Sequence, residues 1–311
     1  MRVVITGATG FIGSALCREL HKQYEVVALS RDPTKAQQSI GPLTTIVQWD
    51  AKTLDAWEKT VDGALAVINL AGENIASGRW NHATKNRILH SRLNAAEAIV
   101  KAVKHVEHKP GIVIQASATG YYGSRGDQIL DESSSGGTGF LADVCKQWEQ
   151  AIRPLEDLPV RLLIIRLGPV LGAEGGMIPK LLPAFRFFLG GHPGHGSQYL
   201  SWIHIDDVTA AVRFLLETAA SQGLFNLTAP TPVPAKDFYN LLAKTLHRPA
   251  VFPLPASMLK LLMGQMADEL LLSSQRVMPA KLLLAGYKFR YVDPKSAIES
   301  IIGKHDNLRS D

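Results

Sequence analysis

The chain has 311 residues, 46% of them apolar and 20% charged, enough to bury a sizeable core in one large or two modest domains, which excludes a disordered or fibrous chain. Its net charge of +5 is spread without a Lys/Arg block, so an anionic small ligand is expected rather than nucleic acid. Two cysteines, Cys17 and Cys145, exclude a disulfide framework or Cys/His metal centre; an immediate first strand and no membrane-length apolar run predict a cytoplasmic protein without membrane contact.

Arg2-Val3-Val4-Ile5 reads as a strand that runs into a turn with glycines at 7, 10 and 13, and an amphipathic helix carrying Ile12, Leu16 and Leu20 opens directly after it. This is a pyrophosphate cradle: Gly7 for the tight turn, Gly10 for close approach of backbone to phosphate, Gly13 for helix-on-strand packing, with the helix N-terminus offering N–H groups. A second strand, Glu25 to Leu29, ends at Ser30-Arg31-Asp32. The end of that strand faces the adenosine ribose in a dinucleotide fold, where a carboxylate binds the 2′-hydroxyl and an arginine accommodates a 2′-phosphate. Ser30 and Arg31 therefore favour NADP(H) over NAD(H), with Asp32 on the ribose, or Arg31 as a solvated charge, as the competing readings. A third strand, Thr45 to Asp50, sets Asp50 near the adenine edge. The fourth, Ala64 to Gly72, is continuously apolar, as a strand covered on both faces must be, and its last two residues, Ala71-Gly72, are small enough for a cofactor to lie against the backbone.

The spacing predicts a long helix from about Trp80 to Val106, with Ile88, Arg92, Ala95, Ala96, Ile99 and Val103 near one face. Arg92 is an ion on an apolar stripe and needs polar partners, either a cofactor phosphate or ribose or a structural carboxylate. A fifth strand, Ile112 to Ala116, delivers Ser117-Ala118-Thr119-Gly120-Tyr121-Tyr122-Gly123 at its carboxyl end, where open α/β sheets place their ligands. After a glycine-rich loop, a helix carries Phe140, Val144, Trp148 and Ile152, and a sixth strand, Val160 to Arg166, ends in Leu167-Gly168-Pro169-Val170-Leu171-Gly172. The alternation predicts an α/β fold, a Rossmann-type doubly wound parallel sheet. Residues 1–172 would form the NADP-binding domain, with strands added from later segments such as 203–228. Residues 173–311 would form a smaller, mainly helical C-terminal lobe that binds substrate. His192 and His195, on a turn-rich loop without a third ligand, do not make a metal site, and none is expected elsewhere. Leu259, Leu262, Met263 and Met266 fall on one helical stripe, expected to be core.

The glycine turn, Asn69-Leu70-Ala71-Gly72, Ser117, Arg166 to Val170, and Trp202-Ile203-His204-Ile205-Asp206-Asp207 together resemble an extended short-chain dehydrogenase/reductase of the epimerase/dehydratase type. Within it the chain is similar to the atypical bacterial and organellar epimerase family proteins. These carry Asn-Leu-Ala-Gly-Glu-Asn (here 69–74), Ser91-Arg92, Phe140-Leu141-Ala142, Trp148-Glu149 and a C-terminal domain of unknown role, matched by Ser273 through Phe289 and placed at about 250–300. The resemblance implies cofactor contacts at Gly7, Gly10, Phe11, Ile12, Gly13, Ser30, Arg31, Leu70, Ala71, Arg92 and Val170. It does not imply a mechanism. Ordinary members use Tyr-x-x-x-Lys on the helix after strand five, and that register puts Leu141 and Cys145 at the two positions. Tyr291 to Lys295 has the spacing but contains Pro294 and reads as chance.

Without that pair, Ser117 is expected to polarise the substrate, with Tyr121, Tyr122, Glu73 or His204 as proton-transfer candidates and Cys145 either a thiolate nucleophile or a small core residue. Glu73, Asn74, Trp202 and His204 are expected at a substrate cleft between the lobes. The function expected is an NADP(H)-dependent oxidoreductase or nucleotide-sugar-epimerase-like enzyme acting on a small carbonyl or hydroxyl substrate. The alternative is an inactive NADP(H)-binding sensor or partner-binding protein, a role consistent with the cell-division link given to some relatives. The apolar content of residues 80–106 permits a homodimer.

Overall fold

The structure, a computed structural model, describes residues 1–42 and 44–307. Seven strands form the central sheet: β1 (Arg2–Thr6), β2 (Glu25–Ser30), β3 (Thr45–Gln48), β4 (Ala66–Asn69), β5 (Ile112–Ala118), β6 (Arg161–Leu167) and β7 (Gly223–Leu227). Their order is β7-β6-β5-β4-β1-β2-β3. Strand β1 pairs in parallel with β2 on one side and β4 on the other, and β2 with β3 and β4 with β5 are parallel too. The strand order therefore reverses at β1, the topological switch point where such sheets bind ligands outside the strand ends. Val3, Val4, Ile5, Val67, Ile68, Val113, Ile114, Leu163 and Ile165 are fully buried, which is why these strands read as unbroken apolar runs.

The helices are α1 (Phe11–Leu20), α2 (Pro33–Ile40), α3 (His82–His105), α4 (Phe140–Ile152), α5 (Ile178–Arg186), α6 (Ile205–Glu217), α7 (Ala235–Thr245), α8 (Ala256–Met263), α9 (Gln265–Leu270), α10 (Ala280–Leu284) and α11 (Pro294–Asn307). Helix α3 starts where Asn81 Oδ1 accepts the Thr84 N–H at 2.8 Å and keeps Lys104 and His105 in its last turn.

The chain forms two compact units, one of residues Met1–Ser117, Val144–Ile165 and Thr209–Leu224, the other of Ala118–Asp143, Arg166–Val208 and Phe225–Asp311. The first holds the glycine turn and most of the sheet. The second has its own core, in which Leu171, Phe185, Trp202, Phe238, Leu242 and Ile301 pack together. The expected stripe at 259–266 is interrupted: Gly264, at φ +61°, separates α8 from α9, so Leu259 and Met266 are buried while Leu262 is 59% exposed. Among the described residues no helix is long and apolar enough to cross a membrane, and no three His, Cys, Asp or Glu side chains gather as a metal site.

Candidate functional site

The glycine turn is built by close approach. Gly7 takes the left-handed conformation at φ +65°, and a Cβ there would stand 2.7 Å from the Leu70 carbonyl oxygen. A Cβ on Gly13 would stand 2.2 Å from the Gly7 carbonyl oxygen, so α1 rests directly on the turn. Helix α1 has no side-chain cap and no acid in its first turn, which leaves the N–H groups of Phe11, Ile12 and Gly13 for an incoming anion.

Three buried polar side chains fix the strand ends behind it. Thr6 Oγ1 donates to Asn69 Oδ1 at 2.6 Å, Asn69 Nδ2 donates to Gln115 Oε1 at 2.8 Å, and the Leu70 and Ala71 N–H groups both donate back to Thr6 Oγ1. All three side chains are fully buried. This chain ties β1, β4 and β5 together and presses residues 70–71 against Gly7. The signal for it in the sequence is one polar residue at or near the carboxyl end of each apolar strand.

At the end of β2 the Asp32 carboxylate is engaged by α2. Its Oδ1 accepts the Lys35 N–H at 3.1 Å as the N-cap of α2, its Oδ2 lies 3.2 Å from Lys35 Nζ, and these contacts hold its pKa below the usual value. Ser30 Oγ donates to the Asp32 carbonyl and accepts the Asp32 N–H. Arg31 is exposed and makes no ion pair among the described residues. Asp50 is also committed locally: Oδ1 accepts from the N–H groups of Lys52 and Thr53 and Oδ2 from the Thr53 hydroxyl, which lowers its pKa.

The loop after β4 is held by α3. Ser91 Oγ accepts the Glu73 N–H at 2.9 Å, the Glu73 carboxylate lies 3.5 Å from Arg87, and Asn74 closes a turn by accepting the Ala76 N–H. Arg92 Nη1 donates to the Glu73 carbonyl at 3.1 Å and the Ile88 carbonyl at 2.9 Å, and its guanidinium carbon lies 5.0 Å from the centre of the Trp148 ring. Burial lowers the Arg92 pKa, with Cys145 and Glu73 opposing. Of the two partners expected for Arg92, a carboxylate within ion-pair distance is absent among the described residues.

Ser117 and Glu149 form a buried pair, 2% and 3% exposed, in which Ser117 Oγ donates to Glu149 Oε1 at 2.6 Å. Cys145 is buried on α4, one turn before Glu149.

In the second unit, Tyr121 lies under Arg166, whose guanidinium carbon is 3.3 Å from the ring centre. Arg166 also donates to the Tyr122 hydroxyl, which donates to Asn226 Oδ1 at 2.8 Å, and burial pushes the Tyr122 phenol up to about 12. Val170 sits in a two-residue strand paired in parallel with Ile203–His204. Trp202 is fully buried and donates to the Thr231 carbonyl. Both oxygens of Glu269 accept backbone N–H groups at the start of α4, from Phe140 at 2.9 Å and Leu141 at 2.7 Å, and so stand in for a local N-cap.

His204 is 1% exposed, its ring 3.9 Å from that of Tyr291, and its Nδ1 accepts the Asp206 N–H. Burial lowers its pKa from 6.5 to about 4, with Asp206 opposing and Lys304 and Arg290 reinforcing. The folded state thus prefers the neutral ring, a contribution present above pH 6.5 and lost as the pH falls toward 4. The chain should lose about 2 kcal/mol more stability between about pH 7 and pH 4.5 than a His204→Asn variant, measured by urea unfolding at each pH. Parallel loss in both would show that His204 titrates alike in the folded and unfolded chains.

With this geometry in place, residues 3–228 match the model of the NAD dependent epimerase/dehydratase family. The chain belongs to that family. Residues 254–301 of this epimerase/dehydratase-family chain also match a domain of unknown function, DUF1731. It is 36% identical over 306 residues to the epimerase family protein SDR39U1 homolog, chloroplastic, of Arabidopsis thaliana, covering 97% of this chain and 87% of that one. It is 35% identical over 304 residues to the epimerase family protein YfhF of Bacillus subtilis, covering 97% and 98%. The crystal structure of human epimerase family protein SDR39U1 with NADPH has a TM-score of 0.88 and 32% identity to it, covering 99% of this chain and 100% of that one. In the sequence Asn69 and Glu149 stand only as letters of the family motifs and Gln115 only as a strand residue; the structure adds their buried hydrogen bonds, with Thr6 and Gln115 around Asn69 and with Ser117 at Glu149.

Proposed function

We propose that this chain binds NADP(H) across the glycine turn and acts as an oxidoreductase of the epimerase/dehydratase type on a small carbonyl or hydroxyl compound. The observation that carries the cofactor choice is at the end of β2: the adjacent carboxylate, Asp32, is spent on capping α2, while Arg31 is exposed and makes no ion pair among the described residues. That arrangement suits a 2′-phosphate and leaves no free acid for a 2′-hydroxyl. The solved relative with NADPH supports the same reading. In this reading Phe11, Ile12 and Gly13 receive the pyrophosphate on their N–H groups, and Gly10, Leu70, Ala71 and Gly72 leave the backbone room beside it. The bound cofactor supplies or takes the hydride.

Arg31→Ala should weaken NADPH binding about tenfold or more and leave NADH within about twofold, since one charge-assisted contact to the 2′-phosphate is lost. Calorimetric titration checks this, and an unchanged preference would remove Arg31 from the site.

A second reading, a cofactor-binding protein without chemistry of its own, is favoured by one observation. The Ser117 hydroxyl proton is committed to Glu149; the register implied by the family resemblance, with Leu141 and Cys145 in place of tyrosine and lysine, agrees with it. Consumption of NADPH by any of a panel of aldehydes and ketones supports the enzyme, and tight binding with no turnover in either direction supports the second reading.

A further inference from the structure

The apolar side chains that the fold leaves in water are not scattered. Of the fifteen large apolar side chains exposed among the described residues, nine lie in two segments, 187–189 and 251–262. Both segments belong to the second unit. A contiguous patch of this kind marks a surface on which something docks. The two segments are held side by side: the Phe252 N–H donates to the Gly190 carbonyl at 3.2 Å and the Leu254 N–H to the His192 carbonyl at 3.0 Å. A Cβ on Gly191 would stand 2.0 Å from the Phe252 carbonyl oxygen, so the approach is as close as glycine allows. Helix α8 opens directly after Pro255 and leaves Met258, Leu261 and Leu262 exposed, the i, i+3, i+4 spacing of one helix face.

Two observations say what covers this face. The first is charge. No acid occurs between Glu174 and Asp206 or between Asp237 and Asp268, whereas those stretches hold Lys180, Arg186, Lys244, Arg248 and Lys260. Asp268 is itself paired with Lys260 at 2.8 Å. The Arg248 guanidinium carbon lies 4.8 Å from the centre of the Phe188 ring, which sets a cation at the patch. A second copy of the chain would bring the same cations and no acid to meet them, which opposes a symmetric dimer through this face. The second observation is the backbone. At the end of α5 the N–H groups of Phe187, Phe188 and Leu189 donate to the carbonyls of Pro183, Phe185 and Ala184. In the neighbouring segment Phe252 and Leu254 are bonded as above, and Pro253 and Pro255 have no N–H. Residues 187–189 and 252–255 therefore present side chains without a free N–H. That denies a peptide strand its hydrogen bonds and lowers the cost of entering hydrocarbon.

We propose that this face docks on an anionic lipid bilayer, with Phe187–Leu189, Phe252 and the exposed side of α8 entering the acyl boundary and Lys244, Arg248 and Lys260 reaching the phosphate headgroups. Aromatic and aliphatic side chains flanked by cations suit a membrane interface, where long basic side chains extend their charged ends to the headgroups. The sequence expectation of no membrane contact rests on the lack of a membrane-length apolar run, which bears on spanning and not on docking. Such docking is independent of the NADP(H) reading above.

Sedimentation of the full chain with vesicles tests this, using phosphatidylcholine alone and phosphatidylcholine mixed with phosphatidylglycerol. The wild type should bind the mixed vesicles about tenfold or more tightly than phosphatidylcholine, a difference that high salt removes. Phe187→Ser combined with Leu261→Ser should weaken binding to the mixed vesicles about tenfold or more and leave the thermal midpoint unchanged, because the two side chains are 75% and 77% exposed. Lys244→Gln combined with Arg248→Gln should weaken binding to the mixed vesicles about tenfold and leave phosphatidylcholine within about twofold. Should the serine variant lose stability, the charge variant decides, its loss confined to the mixed vesicles. No binding to the mixed vesicles, no preference for the anionic lipid, or full binding kept in these variants overturns the proposal. A wild-type dimer in ultracentrifugation that the serine variant loses, without vesicle binding, also overturns it and gives the face to a second copy.

Discussion

Gly13→Ala should lower the stability of the chain by about 3 kcal/mol and weaken NADPH binding well beyond the effect of losing one contact. The added Cβ would stand 2.2 Å from the Gly7 carbonyl oxygen and 2.7 Å from Ala8 Cα, both backbone atoms of the turn itself. Neither can rotate away as a side chain would, so α1 must move off β1. That movement carries the Phe11 and Ile12 N–H groups away from where the pyrophosphate would lie, which couples the stability loss to the binding loss. Gly10→Ala is the control for stability alone, because a Cβ there meets its nearest heavy atom, the Gly7 oxygen, at 3.2 Å rather than 2.2 Å. Thermal unfolding of the two alanine variants separates them, Gly13→Ala losing more, and NADPH titration of Gly13→Ala checks the binding loss. An equal loss of stability in Gly10→Ala and Gly13→Ala would mean that the turn is not the rigid cradle described.

Ser117→Ala should cost about 2–3 kcal/mol in stability while leaving NADPH affinity within about twofold, because it removes a buried donor from the Glu149 carboxyl group without touching the glycine turn. Glu149→Gln keeps an acceptor of the same shape and should cost less. The pair joins the end of β5 to α4, so its loss loosens the sheet where the Gln115 hydrogen bond also lies. Urea unfolding gives the stability change and an NADPH-oxidation assay gives turnover. Wild-type stability with turnover abolished would show that the hydroxyl acts on substrate, against the structural role that its hydrogen bond indicates.

The parts of the molecule legible in the sequence are those whose signal is local. Gly10 and Gly13 answer to the Gly7 carbonyl oxygen a few positions away and Gly7 to its own left-handed conformation, and the apolar runs of β1, β4, β5 and β6 follow from burial on both faces; the helix expected from about Trp80 to Val106 spans His82–His105. Asp32 shows the limit. Sequence alone offers it only as a ribose ligand, whereas in the structure Pro33 opens α2 at the next residue and the carboxylate meets the Lys35 N–H as the helix cap. Asp50 is similar, its acceptors taken up by Lys52 and Thr53.

What stayed hidden is what depends on residues far apart in the chain. Glu149 meets Ser117 across 32 positions and Asn69 meets Gln115 across 46. Glu269 caps α4 from 129 positions away, which no reading of the residues before Phe140 could supply. Trp202 and His204 belong to a motif-like segment, and their full burial reflects packing against the C-terminal helical core and Tyr291, which lie much further along the chain.

The central claim is that the cradle at β1 and the arginine at the end of β2 select NADP(H). The most direct measurement is a calorimetric titration of the unmodified chain with NADPH and, separately, NADH under identical conditions. The account predicts that NADPH binds about tenfold or more tightly. Equal affinity for the two, or tighter binding of NADH, would contradict it.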